Sequence, residues 1–136
     1  MISAVLDTNV LVSAMISSAG NEALLVIAIN QGLVTPYFLP DILEEYSDVL
    51  LRPKFGFSKE EVDALLDMLQ HRGVLLNPVP MSRISPDPDD DKFIACAHVG
   101  QVNFLVTGNK RHFPQTKTGA RVVNAAELLE FITLEI

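Results

Sequence analysis

Apolar residues in this chain cluster in short, mainly apolar runs set between amphipathic stretches. Residues 2–6, 33–39, 74–76, 103–107 and 122–123 are such runs, and each is flanked by glycine, proline or polar residues. Runs of that length, bounded by turn residues, predict buried strands. The stretches between them carry helical spacing and helical punctuation. Residues 10–16 are apolar and helix-compatible, and Ser17, Ser18 and Gly20 interrupt them. Residues 21–31 read as a helix with Asn21 at its N-cap and Gly32 after its end. Pro40 suits the first position of a helix that runs to Leu51, with Pro53 as its stop. Ser58 and Glu61 form a capping box that opens a helix to about Arg72, and Asn124 with Glu127 forms a second one before the last helix. A further helix extends to about Val99 behind an aspartate-rich stretch.

Strands thus alternate with helices. The strand runs are continuously apolar rather than alternating, as in a parallel sheet covered on both faces. The expected fold is α/β: a single domain over residues 1–136, a three-layer α/β/α sandwich around a mainly parallel sheet. In open sheets of this kind, ligands bind beyond the carboxyl ends of the strands.

Composition narrows the classes. With 136 residues and 49% hydrophobic content, the chain can bury one real core. The one cysteine, Cys96, excludes an internal disulfide and lies in an apolar run, as a buried thiol in a reducing compartment does. No stretch approaches the roughly 20 apolar residues of a membrane span. No leader precedes the first strand, so the expected location is the cytoplasm, without a membrane partner. The net charge of −7 argues against a general nucleic-acid binder. The charge is uneven, however. Between Asp91 and Glu127 there is no acid, whereas Lys92, Lys110, Arg111, Lys117 and Arg121 lie at or within those limits. This run is either a basic rim or a solvated mixture.

The candidate chemistry is acidic. Asp87, Asp89, Asp90 and Asp91 crowd into residues 87–91, ahead of Phe93 and Ile94. Such crowding is either a solvated helix start or a site for a hard cation with oxygen ligands. At about 100° per residue, Asp90 shares the face of Phe93, Ile94 and Ala97, whereas Asp89 and Asp91 point away and need only water. Asp87 precedes Pro88 and is expected to be extended. Applied to the earlier helix, the same geometry puts Glu44 opposite the stripe of Ile42, Leu43, Tyr46, Val49 and Leu50. Glu45 lies at its border. Asp7 follows the first strand and Asn109 the strand ending at Thr107, so both fall at the expected ligand edge. Asp7 reads equally as a helix cap. His71, His98 and His112 lack metal spacing and read as surface histidines. No phosphate-binding glycine loop, nucleophile elbow or cysteine-based zinc cluster is present.

Four blocks, in order and spanning nearly the whole chain, resemble the PIN-domain family. They are Val5 to Ala14, beginning Val5-Leu6-Asp7-Thr8-Asn9; Leu43-Glu44-Glu45-Tyr46 with Leu50 to Phe55; Asp87 to Phe93; and Leu105 to Lys110. The subgroup they resemble is bacterial and archaeal and is described as toxin components of toxin–antitoxin systems. The resemblance implies a metal-dependent ribonuclease using Mg²⁺ or Mn²⁺. It implies Asp7, Glu45 and Asp90 as metal ligands and Asn109 at a fourth position where the family usually carries Asp. It also implies RNA as substrate, an antitoxin as partner, and a homodimer. An amide oxygen still ligates a cation or its water but brings no charge. Lys92, Lys110 and Arg111 are candidates to hold the RNA backbone. Two alternatives stand beside this reading: a PIN fold that only binds a partner, and a haloacid-dehalogenase-like phosphatase. The phosphatase would need a second aspartate where this chain has Asn9.

Overall fold

The computed structural model describes residues 2–77 and 90–135, the side chains at 116, 117, 134 and 135 aside. Asp87 and Asp89 lie outside the described residues. Five strands form one sheet: β1 (Ile2–Leu6), β2 (Val34–Phe38), β3 (Val74–Leu75), β4 (Phe104–Val106) and β5 (Arg121–Val123). Their order is β3-β2-β1-β4-β5, and every neighbouring pair is parallel. The helices are α1 (Thr8–Ile16), α2 (Asn21–Asn30), α3 (Pro40–Leu50), α4 (Lys59–Arg72), α5 (Asp91–Gly100), α6 (Gln115–Thr118) and α7 (Ala125–Glu135).

The chain leaves β1 for β2 on one side and later returns to β4 on the other. Right-handed crossovers in opposite directions lay their helices on opposite faces. Accordingly α2 packs with α1, α4 and α7, while α5 lies on β1, β2 and β4. This is the three-layer α/β/α arrangement that the apolar runs require. The core is continuous through it, with Phe38, Tyr46, Phe93 and Phe113 among its largest wholly buried side chains. Among the described residues, no single helix is long and apolar enough to cross a membrane.

Local differences from the sequence expectation have local causes. Helix α1 starts at Thr8, two residues before the apolar run, because Asp7 is extended and occupies the cap. Gly20, not Asn21, caps α2. Helix α3 ends at Leu50, and Pro53 opens a 3-10 turn over Pro53–Phe55 that Gly56 closes at φ 68°. Helix α6 and a 3-10 turn at Lys110–His112 were not expected from the pattern. Both capping boxes form: Ser58 with Glu61, and Asn124 with Glu127.

Asp91 requires a correction. It was expected to point into water, yet it is 4% exposed. The cause is that α5 buries Asp91, Phe93, Ile94, Ala95, Cys96 and Ala97, which is most of its circumference. A single apolar stripe does not describe a helix packed on more than one side.

Candidate active-site cleft

The strand order switches between β1 and β4, and the polar groups gather beyond the carboxyl ends of those two strands. Asp7 follows β1 directly and is held there twice. Its backbone N–H donates to the Val106 carbonyl at 2.9 Å, and the Thr107 hydroxyl donates to its Oδ2 at 2.9 Å. Thr107 is itself wholly buried and accepts the Asn109 N–H at 3.0 Å. Sequence reasoning missed this threonine. Its one signal is a hydroxyl directly after a buried strand, on the edge where a site is expected.

Helix α3 brings in Glu45. The buried Tyr46 beside it donates its hydroxyl to the Leu6 carbonyl at 2.6 Å, which fixes α3 against the end of β1. Glu45 is partly exposed and fully engaged: Lys92 Nζ donates to Oε1 at 2.6 Å, and the Thr8 hydroxyl donates to Oε2. Asp90 caps α5 and is buried, and its Oδ2 stands 3.4 Å from Nδ1 of His112. His112 therefore belongs to the site, although its spacing gave no hint of it. His71 and His98 are exposed.

Asp7, Glu45 and Asp90 line one cavity of about 240 Å³ together with Arg52, Phe93 and His112. Asn109 does not line it. Asn109 is exposed on the turn after β4 and reaches the site through its backbone contact with Thr107. Of the basic residues, Lys110 pairs with Glu127 at 2.5 Å, both about half-exposed, and Arg111 is exposed.

Electrostatics match the crowding. Burial raises the Asp7 carboxyl above the usual carboxylate range, and the nearby Glu45 charge adds to that rise. The Thr107 hydroxyl and the Asn9 and Thr8 amides pull it back down. A carboxyl destabilised in this way accepts a compensating cation readily.

Three carboxylates in one cavity are the donor chemistry that a hard dication takes. Among the described residues, however, no three acidic, histidine or cysteine groups stand together closely enough to hold an ion as they lie. At Glu45, Lys92 donates to one oxygen and the Thr8 hydroxyl to the other. The residues fit a dication in kind, and one of them, Glu45, is paired with an ammonium.

An all-parallel α/β/α sandwich with an acidic cleft at its switch point belongs to the class of α/β domains that bind ligands at that edge. A family model described as "PIN domain" matches residues 3–111, and the chain belongs to that family. An uncharacterized protein of Methanocaldococcus jannaschii is 30% identical over 112 residues, covering 80% of this chain and 72% of the relative. PIN domains are typically nucleases, generally use divalent metal ions and generally bind nucleic acids. The family match sets aside the phosphatase alternative.

Proposed function

We propose that this protein is a metal-dependent endoribonuclease. The observation that carries the reading is the convergence of Asp7, Glu45 and Asp90 on one cavity beyond β1 and β4. They arrive from three separate elements, and a folded chain gathers buried like charges only where something compensates them.

On this reading Asp7, Glu45 and Asp90 hold Mg²⁺ or Mn²⁺. When bound there, the ion supplies Lewis acidity, which activates water and stabilises charge on a phosphodiester. The residues of the chain do the positioning. Thr107 orients Asp7 through the 2.9 Å hydrogen bond to Oδ2. Tyr46 sets the distance between α3 and β1, and hence that of Glu45 from Asp7. Arg52, on the cavity wall, supplies a planar cation suited to a phosphate. His112, beside Asp90, is a donor at the mouth. Asn109 acts by fixing Thr107 rather than as a ligand.

Within this reading the protein is the toxin component of a toxin–antitoxin pair, a cytoplasmic homodimer held in check by an antitoxin protein. The resemblance of its sequence blocks to that subgroup supports the assignment. A second reading, a PIN fold that binds RNA without cutting it, draws support from two facts: each Glu45 oxygen already carries a donor, and Asn109 stands outside the cavity.

Incubation with end-labelled single-stranded RNA and Mn²⁺ or Mg²⁺ separates the two. Cleavage by the wild type that disappears in Asp7→Asn is expected. Binding without cleavage establishes the second reading. Cleavage that survives Asp7→Asn assigns the activity to a contaminant and removes the proposal.

A further inference from the structure

The side chains of Lys92 and Glu45 are 17% and 22% exposed, and they form an ion pair at 2.6 Å. A lysine this enclosed is costly unless its charge is matched, and here the matching carboxylate is one of the three that line the cleft. Each Glu45 oxygen already carries one donor, the ammonium on Oε1 and the Thr8 hydroxyl on Oε2. Each oxygen keeps a lone pair for a cation, so charge rather than space decides which donor stays. The Thr8 hydroxyl is neutral and can stay. The ammonium cannot, because a dication on the same carboxylate would lie a few ångströms from a like charge.

The displaced group has somewhere to go. A second cavity of about 390 Å³ adjoins the first, sharing Glu45 and Arg52, and Lys92 lines it together with Asp41, Glu44 and Asp48. An ammonium displaced into that cavity faces other carboxylates.

We infer that Lys92 is an exchangeable counter-ion: it neutralises Glu45 in the metal-free cleft, and a divalent cation takes Glu45 only by driving the ammonium toward the Asp41, Glu44 and Asp48 side. This rests on Glu45 being a cation ligand. Its consequence is that metal affinity is set partly by competition inside the chain. The apparent affinity is lowered by the fraction of time that Glu45 is held by Lys92.

Two measurements test it together. In calorimetric titration with Mn²⁺ alone, Lys92→Met binds about tenfold more tightly than wild type, as expected if the ion pair is formed about nine-tenths of the time. In the wild type, acetylation of lysine amines read by mass spectrometry rises at Lys92 when Mg²⁺ is added, while exposed Lys59 is unchanged. The second measurement does not depend on the variant folding, and removal of a nearby charge cannot mimic it. Equal or weaker Mn²⁺ binding by folded Lys92→Met, or unchanged labelling of Lys92 under saturating Mg²⁺, overturns the counter-ion role. If the wild type binds Mn²⁺ and Asp7→Asn does not, the cation site survives that failure. If neither wild type nor Lys92→Met binds Mn²⁺ at millimolar concentration, the cation site fails and the counter-ion role with it.

Discussion

The hydroxyl of Tyr46 donates to the carbonyl of Leu6 at 2.6 Å, across 40 residues of sequence and in the dry core. Each partner stands next to an acid of the cleft, Glu45 on one side and Asp7 on the other. One buried hydrogen bond thus couples the packing of α3 on the sheet to the separation of two carboxylates. Burial, and then the neighbouring Cys96, Asp7 and Glu45, push the phenol well above its usual pKa. The hydroxyl therefore stays protonated and remains a donor.

Tyr46→Phe keeps the ring and removes the donor. Loss of a buried hydrogen bond that water cannot replace costs about 1–2 kcal/mol. Urea unfolding should show a lower midpoint with an unchanged slope, the mark of a native-state loss without a change in compactness. Mn²⁺ binding should weaken as well, since Glu45 is no longer fixed relative to Asp7. A variant that loses stability but binds Mn²⁺ as wild type does would show that α3 is positioned by packing alone.

Thr107→Val tests the other support of Asp7. The hydroxyl lowers the Asp7 pKa by donating to Oδ2, so its removal lets burial and Glu45 raise that pKa further. A carboxylate must be deprotonated to hold a metal. The acid limb of Mn²⁺ binding should therefore move to higher pH in Thr107→Val, with a stability loss of about 1 kcal/mol. An unmoved acid limb would mean that Asp7 does not control binding.

Which parts of this site were legible follows from how far apart the interacting residues lie. The parallel sheet was readable because continuous apolar runs are a local property, and the two capping boxes because their partners are three residues apart. Asp7, Glu45, Asp90 and Asn109 could each be nominated from a strand end or a helix face. That the first three share a cavity and Asn109 does not depends on the order of the strands. Thr107 escaped notice because its role exists only once β4 lies beside β1, 100 residues away. Asp91 was misjudged because one helical face was assumed where α5 has several. His112 gave no spacing signal because its partner Asp90 lies on a different element.

Asp7→Asn should stabilise the metal-free protein at neutral pH. The sign follows from the raised pKa. Below the unfolded value of 3.8 both states are protonated and the substitution gains little. As pH rises through the window between the unfolded and folded values, the folded state holds a proton that the unfolded state releases, so wild-type stability falls. The neutral amide is spared that loss. Melting curves across pH should show the variant above wild type at neutral pH and the two converging in acid. Mn²⁺ should reverse the order. At a free concentration 100 times its Kd, the ion adds about 2.7 kcal/mol to the wild type and nothing to the variant. A variant that melts below wild type without metal would mean that the Asp7 charge is well paired in the fold.

Cys96 offers a reporter for the same coupling. It is wholly buried in α5, and burial pushes its thiol up to about 12. At neutral pH the thiol stays protonated, and its burial keeps reagents from it in the closed state. Alkylation by iodoacetamide therefore reports opening of the core around α5, whose first turn follows Asp90. If that opening also dismantles the cleft, Mn²⁺ at 100 times its Kd should slow the reaction about 100-fold, because the ion holds only the closed form. The slowing should vanish in Asp7→Asn. Alkylation that is fast in the native protein would contradict the packing of α5. A slow reaction indifferent to Mn²⁺ would show that α5 opens without disturbing the acidic cleft.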